Sequence, residues 1–404
     1  MRRSGLRRIQ LACLLRAVTA GLTAPYLYVY LTQVRNFSAS TAGVIFTLQA
    51  LSMMGTLPLA GRIIDRSGRH RAIAICGAGG AVLSTCGFAL AADVPAAMTA
   101  AVAMGACFGL SQPVNATLII RYTIRQTRPG AYSTLFWLQN LGAGLGALLG
   151  GEIVDVTKPS TFVILFAIGA ILLLPPAVIF ATMPALDNSR MRPRSVRHGI
   201  KLMFWRDPPM RYLLLLNAVV FFVTYGQFEV GIVAYAADVQ HASPQVIGIA
   251  MTTNFALIVL LQPFTVKLVQ HHRRNRVLAI AGTAWLASWA VMTMNALAAA
   301  SVIATYALLG LGEVLLSPAM EPLVAELAPA DLIGSYAAAI AMVRQIAIAV
   351  GPIFGGIMHG FHLYNAFLAS LIACTLFMIT LAFRFHRHLT PSQNRIAAPA
   401  PKRT

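Results

Sequence analysis

Residues Pro159 to Leu186 read PSTFVILFAIGAILLLPPAVIFATMPAL, without one charged side chain. A run this long exceeds the roughly 20 apolar residues that let an α-helix cross a hydrocarbon core. It is not isolated. Between Arg71 and Arg121 the only charge is Asp93, and from Val277 to Gly312 there is none. The whole chain of 404 residues is 58% hydrophobic and 11% charged, with mean hydropathy +0.72, whereas soluble domains carry about a quarter charged residues. A soluble core of this length could not hide so much apolar surface. The pattern predicts an all-α integral membrane protein with spans near 9–32, 42–60, 72–92, 96–120, 132–154, 161–183, 211–236, 245–266, 277–297, 301–322, 336–357 and 363–383.

The net charge of +19 would suggest nucleic acid in a soluble protein, but the basic residues recur in short clusters between apolar runs. Arg2, Arg3, Arg7 and Arg8 precede the first span; Arg62, Arg66, Arg69 and Arg71 follow the second; Arg121, Arg125 and Arg128 follow the fourth. Residues Arg190 to Arg211, then Lys267, Arg273, Arg274 and Arg276, then Arg384, Arg387, Arg395, Lys402 and Arg403 continue the alternation. Connections on the other side hold only Arg35 and Lys158. By the positive-inside rule both termini are expected in the cytoplasm, in an inner membrane. The exception is the tenth-to-eleventh connection, which carries Glu326 and Asp331 and no Lys or Arg. Arg2 to Arg8 ahead of an apolar run has the look of a secretory signal, but the run extends through Leu31 without a small-residue cleavage site and reads as a first span. Cys13, Cys76, Cys86, Cys107 and Cys374 fall within spans without metal-ligand spacing and read as packing residues. No metal or cofactor is expected.

Subtracting 205 from positions in the second half lands on like residues in the first: Gly248 on Gly43, Thr252 on Thr47, Pro263 on Pro58, Arg274 on Arg69, Pro318 on Pro113 and Gly351 on Gly146. The chain is therefore expected to form two pseudo-symmetric bundles of six helices. Residues 1–183 make the first and 210–386 the second, with a cytoplasmic linker over 184–209 and a tail over 387–404. Six is even, so the repeats run in the same sense. Parallel repeats place a substrate site at mid-depth between halves that rock to expose it alternately.

The second-to-third connection reads Gly61-Arg-Ile-Ile-Asp-Arg-Ser-Gly-Arg-His-Arg71. Gly68 supplies a tight turn, and Asp65 among arginines can form a charge-assisted cluster. This segment resembles the signature loop of the major facilitator superfamily, and Val266 to Arg276 is its degenerate repeat. The resemblance extends over the chain in length, span number, repeat period and basic linker, and it implies the major facilitator fold. It also implies a gating role on the cytoplasmic side for Gly61, Asp65, Arg66, Gly68 and Arg69. Gly142, Gly146 and Gly150 lie on one helical face, matched by Gly351 and Gly355, where another helix can approach closely. The first of these faces resembles the glycine motif of the twelve-span drug:proton antiporters, except that the proline which that motif places after Gly146 is Ala147 here. Helix packing explains these glycines equally well.

Charges within spans carry more information, since one at the bilayer centre costs at least roughly 2.5–3.5 kcal/mol. Glu313 falls near mid-depth of span ten. Low-dielectric surroundings favour the neutral form of a carboxylic acid, so Glu313 is the leading candidate to carry a coupled proton. Glu229, late in span seven, is a second candidate or else an interfacial carboxylate. Arg16 and Arg344 sit in the inner halves of spans one and eleven, where each either faces a cavity or snorkels. Together with Gln139, Asn140 and Gln345 they are candidates to line the cavity, with Tyr26 and Tyr225 as its aromatic walls. In the family resembled, spans one, four, seven and ten surround that cavity.

Two transport readings follow: proton-coupled efflux of a drug or secondary metabolite, or import or facilitated movement of a metabolite, for which Arg344 offers to hold an anion. An enzyme or a sensor is a third reading, but no nucleophile elbow, paired histidines or phosphate-binding glycine loop supplies chemistry for it. The expected partners are a small-molecule substrate, protons and the lipid bilayer, with no nucleic acid; the chain is expected to be monomeric.

Overall fold

In lipid every backbone N–H and C=O must be met within the protein, so the apolar runs fold as helices. The computed structural model describes residues 2–67, 70–124, 127–183, 207–270, 272–329, 333–390, 393–394 and 396. The first six helices are α1 (Arg2–Val29), α2 (Ala39–Ser67), α3 (His70–Leu90), α4 (Val94–Tyr122), α5 (Arg128–Ile153) and α6 (Ser160–Thr182). The second six are α7 (Pro208–Val223), α8 (Pro244–Val269), α9 (Arg274–Met292), α10 (Ala298–Met320), α11 (Ile333–Gly360) and α12 (Tyr364–Phe385). Each expected span overlaps one of these helices, and the seventh, expected over 211–236, continues past α7 in shorter helical pieces. Among the described residues ten helical segments are long and apolar enough to cross a membrane. Of the remaining two, α5 is diluted by its glycines, Gln139 and Asn140, and α9 opens on Arg274-Asn275-Arg276. Most of the linker expected over 184–209 lies outside the described residues.

Local signals set the helix starts. Asp93 caps α4 by accepting from the Ala96 N–H at 2.8 Å, and Ser243 caps α8 in the same way through Val246, each with a proline in the first turn. Packing then repeats itself. In the first half α1 packs on α5 and α6, α3 on α4 and α6, and α2 on α4; in the second, α7 packs on α11 and α12, α9 on α10 and α12, and α8 on α10. Adding six to each helix number converts one set into the other.

The register of 205 holds at the level of atoms. One π-helical turn, Tyr30–Val34, ends the first span, and its counterpart Tyr235–Val239 ends the seventh. Left-handed residues follow at Asn36 and His241, again 205 apart. The halves meet through α2 on α11 and α5 on α8. Thr47 Oγ1 donates to the Ala349 carbonyl at 2.9 Å, and Thr252 Oγ1 donates to the Gly144 carbonyl at 2.9 Å. Both members of the second pair carry the numbers of the first shifted by 205. Gly43 lies against Pro352 and Gly356 as Gly248 lies against Ala147 and Gly151, and neither site has room for a Cβ.

These contacts sit at one end of the bundle, opposite the Arg-rich connections. Tyr28 OH donates to Asp238 Oδ2 at 2.8 Å and Ser40 Oγ to the Gly356 carbonyl at 3.3 Å, also between halves and at that same far end. Towards the Arg-rich end, Gly55 and Gly61 of α2 have open space where a Cβ would stand. Among the described residues, the hydrogen bonds between the two bundles all lie towards the far end, and none joins them towards the Arg-rich end.

The acidic exception among the basic connections has a physical account. Arg274, the buried first residue of α9, donates to Glu326 at 2.5 Å, to the Ala319 carbonyl at 2.9 Å and to the Gln393 carbonyl at 2.7 Å. Glu321 pairs with Arg344 at 2.9 Å. The tenth-to-eleventh segment is acidic because it neutralises arginines projected from neighbouring helices.

Candidate functional site

A cavity of about 460 Å³ lies between the halves, within the range of small-molecule sites. Helix α1 contributes Cys13 and Arg16, α4 contributes Phe108, Gln112 and Asn115, and α5 contributes Phe136, Gln139 and Asn140. The opposite wall holds Tyr225, Phe228 and Glu229 of the seventh span, Asn254 and Phe255 of α8, and Glu313 of α10.

The seventh span is broken where it meets this space. After α7 the backbone leaves the helical region at Thr224, resumes for Tyr225–Phe228, leaves it again at Val230 and resumes over Gly231–Ala234. The matching stretch of α1 is continuous. Irregular backbone at membrane depth is tolerated where it lines a cavity or finds partners in protein. Here Tyr306 OH donates to the Phe228 carbonyl at 2.8 Å, and Gln227 Nε2 reaches the Phe222 and Gly351 carbonyls at 3.3 Å. Gly226 allows the break to lie directly against Gly351 of α11. The consequence is that Glu229 lines the cavity instead of reaching an outer interface, which corrects its interfacial reading.

Of the residues singled out in the sequence, the structure brings Arg16, Gln139, Asn140, Tyr225, Glu229 and Glu313 to one cavity. Tyr225 donates its hydroxyl to Glu313 Oε1. Asn140 donates to the Phe136 carbonyl at 2.9 Å. The Arg16 guanidinium stands 5.9 Å from the Phe108 ring centre. It makes no ion pair with a described residue; those pairs are Lys158 with Asp155, Arg274 with Glu326 and Arg344 with Glu321.

Three candidates go elsewhere. Tyr26 is buried between α1, α5 and α8 and donates to the Ala147 carbonyl, so it closes the far end and does not wall the cavity. Arg344 turns away to Asn217 Oδ1 at 2.6 Å and to Glu321, with its guanidinium 4.7 Å from the Phe221 ring centre. It holds a helix junction and is not among the lining side chains, because a fully buried amide and a carboxylate both attract it away. Gln345 is half-buried and also absent from the lining. Sequence reasoning missed Gln112, Asn115 and Asn254, polar residues within apolar spans whose composition alone marks them for a bundle interior.

The glycine faces are packing surfaces. Gly142, Gly146 and Gly150 lie against Leu14, Val18, Leu22 and Tyr26 of α1, while Gly351 and Gly355 lie against Gly226 and Gly231 of the broken span. Asp65 and Arg66 belong to the last turn of α2, but their side chains, and Gly68 and Arg69 entirely, lie outside the described residues.

Two repeat-related helical halves that hold a solute-sized cavity, closed at one end of a membrane-crossing bundle, define a solute transporter. The chain belongs to the Major Facilitator Superfamily, whose family model matches residues 11–242 and 229–404. It is a multi-pass integral membrane protein of that family. Among its relatives is an uncharacterized MFS-type transporter, YqjV of Bacillus subtilis, 26% identical over 84% of this chain and 82% of the relative. The multidrug resistance protein MdtH of Aeromonas hydrophila is 25% identical over 89% and 90% respectively. Solved structures with the same fold include a peptide transporter POT in complex with sulfate, with TM-score 0.74, 14% identity and coverage of 95% of both chains. The nucleoside transporter NupG superposes with TM-score 0.68 at 14% identity, over 95% of this chain and 98% of that one.

Proposed function

We propose that this chain is a proton-coupled exporter of a small organic solute, working by alternating access with Glu313 as the proton carrier. The observation that carries the reading is the cavity between halves, closed at one end only, in which Glu313 accepts from Tyr225 on an adjoining element of the same bundle. An ionised Glu313 accepts that bond, and a protonated one can release it. Loss or gain of one proton thereby changes what holds the broken seventh span to α10. Desolvation changes as the cavity opens or closes, and such changes move protons on and off a carboxylate. The relative named for multidrug resistance supports the outward direction. The reading includes twelve spans in two bundles, 1–183 and 210–386, a monomer, and an inner membrane with both termini cytoplasmic, so that the Arg-rich opening faces the cytoplasm.

A second reading is supported by Arg16, a cation in the cavity wall without an acidic partner: uncoupled passage of an anionic metabolite. Proteoliposomes separate the two. With an imposed pH gradient, the exporter accumulates cationic or neutral compounds against their gradient, and Glu313→Gln stops accumulation while leaving counterflow. Counterflow of an anion without any proton movement overturns the coupled reading.

A further inference from the structure

The two walls of the cavity carry ionisable groups of opposite sign that do not pair with each other. Arg16 projects from the first half and Glu229 from the second, both lining the same space. Neither makes a hydrogen bond or ion pair with a described residue. A charge held in low dielectric without a partner is costly. Arg274 and Glu326, by contrast, are carried as an ion pair at 2.5 Å. Arg16 and Glu229 instead remain open to the cavity, on halves that move relative to one another in the proposed cycle.

The surroundings sort the space further. The wall that carries Arg16 also carries the amides Gln112, Asn115 and Gln139, which can donate to an anion, while Asn254 on the opposite wall has a buried amide oxygen without a donor among the described residues. The rings of Phe108, Phe136, Phe228 and Phe255 line the same space. An unmet acceptor on the same wall as a carboxylate favours a donor cation; amide donors on the same wall as a guanidinium favour an acceptor anion.

We infer that the transported class is amphoteric: an aromatic or apolar body with an acidic group that Arg16 holds and a basic group that Glu229 and Asn254 hold. This rests on the transport reading above. It departs from the alternatives raised there, since a purely cationic or purely anionic solute leaves one pole of the cavity unpaired. A substrate with both groups is the only one that joins the two halves by charge at both ends, and by doing so it favours their approach at the Arg-rich end.

The test uses three fluorescent probes that differ by one charge each: lysine carrying a dansyl group on its α-nitrogen, dansylcadaverine, which lacks the carboxylate, and dansyl-norleucine, which lacks the amine. They are titrated into the full chain in lipid nanodiscs. The amphoteric probe should bind about tenfold or more tightly than either single-charge probe, as a desolvated charge pair implies. Arg16→Gln should bring the amphoteric probe down to the cationic one, and Arg16→Lys should restore part of the gap. Glu229→Gln should bring it down to the anionic probe. Equal binding of all three, or tightest binding of dansylcadaverine, overturns the inference, and the wild-type ranking alone decides this even where a variant does not fold. Gradient-driven flux of the unaltered chain distinguishes a failure of the coupling reading: the stated probe ranking without proton-driven accumulation overturns the coupling and leaves the inference standing.

Discussion

At the scale of single residues, the cavity acid and a neighbouring arginine have opposite fates. Glu313 is read from the sequence by depth alone, and the structure gives it Tyr225 as a partner. Tyr225→Phe removes the donor without changing the ring that stacks on Phe221. It should leave expression and fold intact and change the pH profile of gradient-driven flux, since the hydroxyl it removes is the one bonded to the Glu313 carboxylate. An unshifted profile would separate Tyr225 from the coupling. Arg344 is a different case. Its partner Asn217 is fully buried, so Arg344→Ala strands an amide oxygen and should lower stability by about 1–3 kcal/mol. Glu321→Ala, at an exposed partner, should cost about 0–1 kcal/mol. Thermal unfolding of both variants in one detergent checks the contrast. Depth along a span is legible in a sequence, because rise per residue fixes it. The direction a side chain takes around the helix is not, which is why Arg344 and Tyr26 were placed on the cavity and Arg16 and Arg344 could not be told apart.

At the scale of elements, the glycine face of α5 and the break in the seventh span set what the cavity can do. A Cβ at Gly146 would collide with the Val18 carbonyl and Leu22, both on α1. Gly146→Val should therefore push α1 from α5 and lower the unfolding midpoint, by about 1–3 kcal/mol or more of overpacking. Gly55→Ala, where nothing lies within 4 Å, should be near neutral. The same midpoint measurement on the pair decides it. The break after α7 had no proline to announce it, and Gly226 alone is weak punctuation. It arises from tertiary partners, Tyr306 and Gln227, that meet the freed carbonyls. For that reason Glu229 reads as late and interfacial in a continuous helix and as a cavity residue in a broken one.

At the scale of the whole molecule, the repeat was the most legible feature, since glycines, prolines and threonines at the interfaces hold their register by steric need. Thr47 with Ala349 and Thr252 with Gly144 are the same contact made twice. The closure at the far end also has contacts without a repeat partner, among them Tyr28 to Asp238. Tyr28→Phe removes one hydrogen bond, worth about 1 kcal/mol, and should shift the balance towards a far-end-open form by a factor of about 5. Faster labelling of a cysteine placed at the far end of the cavity wall would register it, and unchanged labelling would make the contact incidental. The account stands on the halves moving as bodies about the cavity. The most direct measurement of this is spin-label distances in a variant lacking its five cysteines, with repeat-equivalent pairs at each end. Ala92 with Leu297 reports the far end and Arg62 with Lys267 the Arg-rich end, all four exposed. Under a proton gradient, and again in Glu313→Gln, the account predicts that the far-end distance lengthens while the Arg-rich distance shortens. Distances that stay fixed under every condition, or that change in the same sense at both ends, would contradict it.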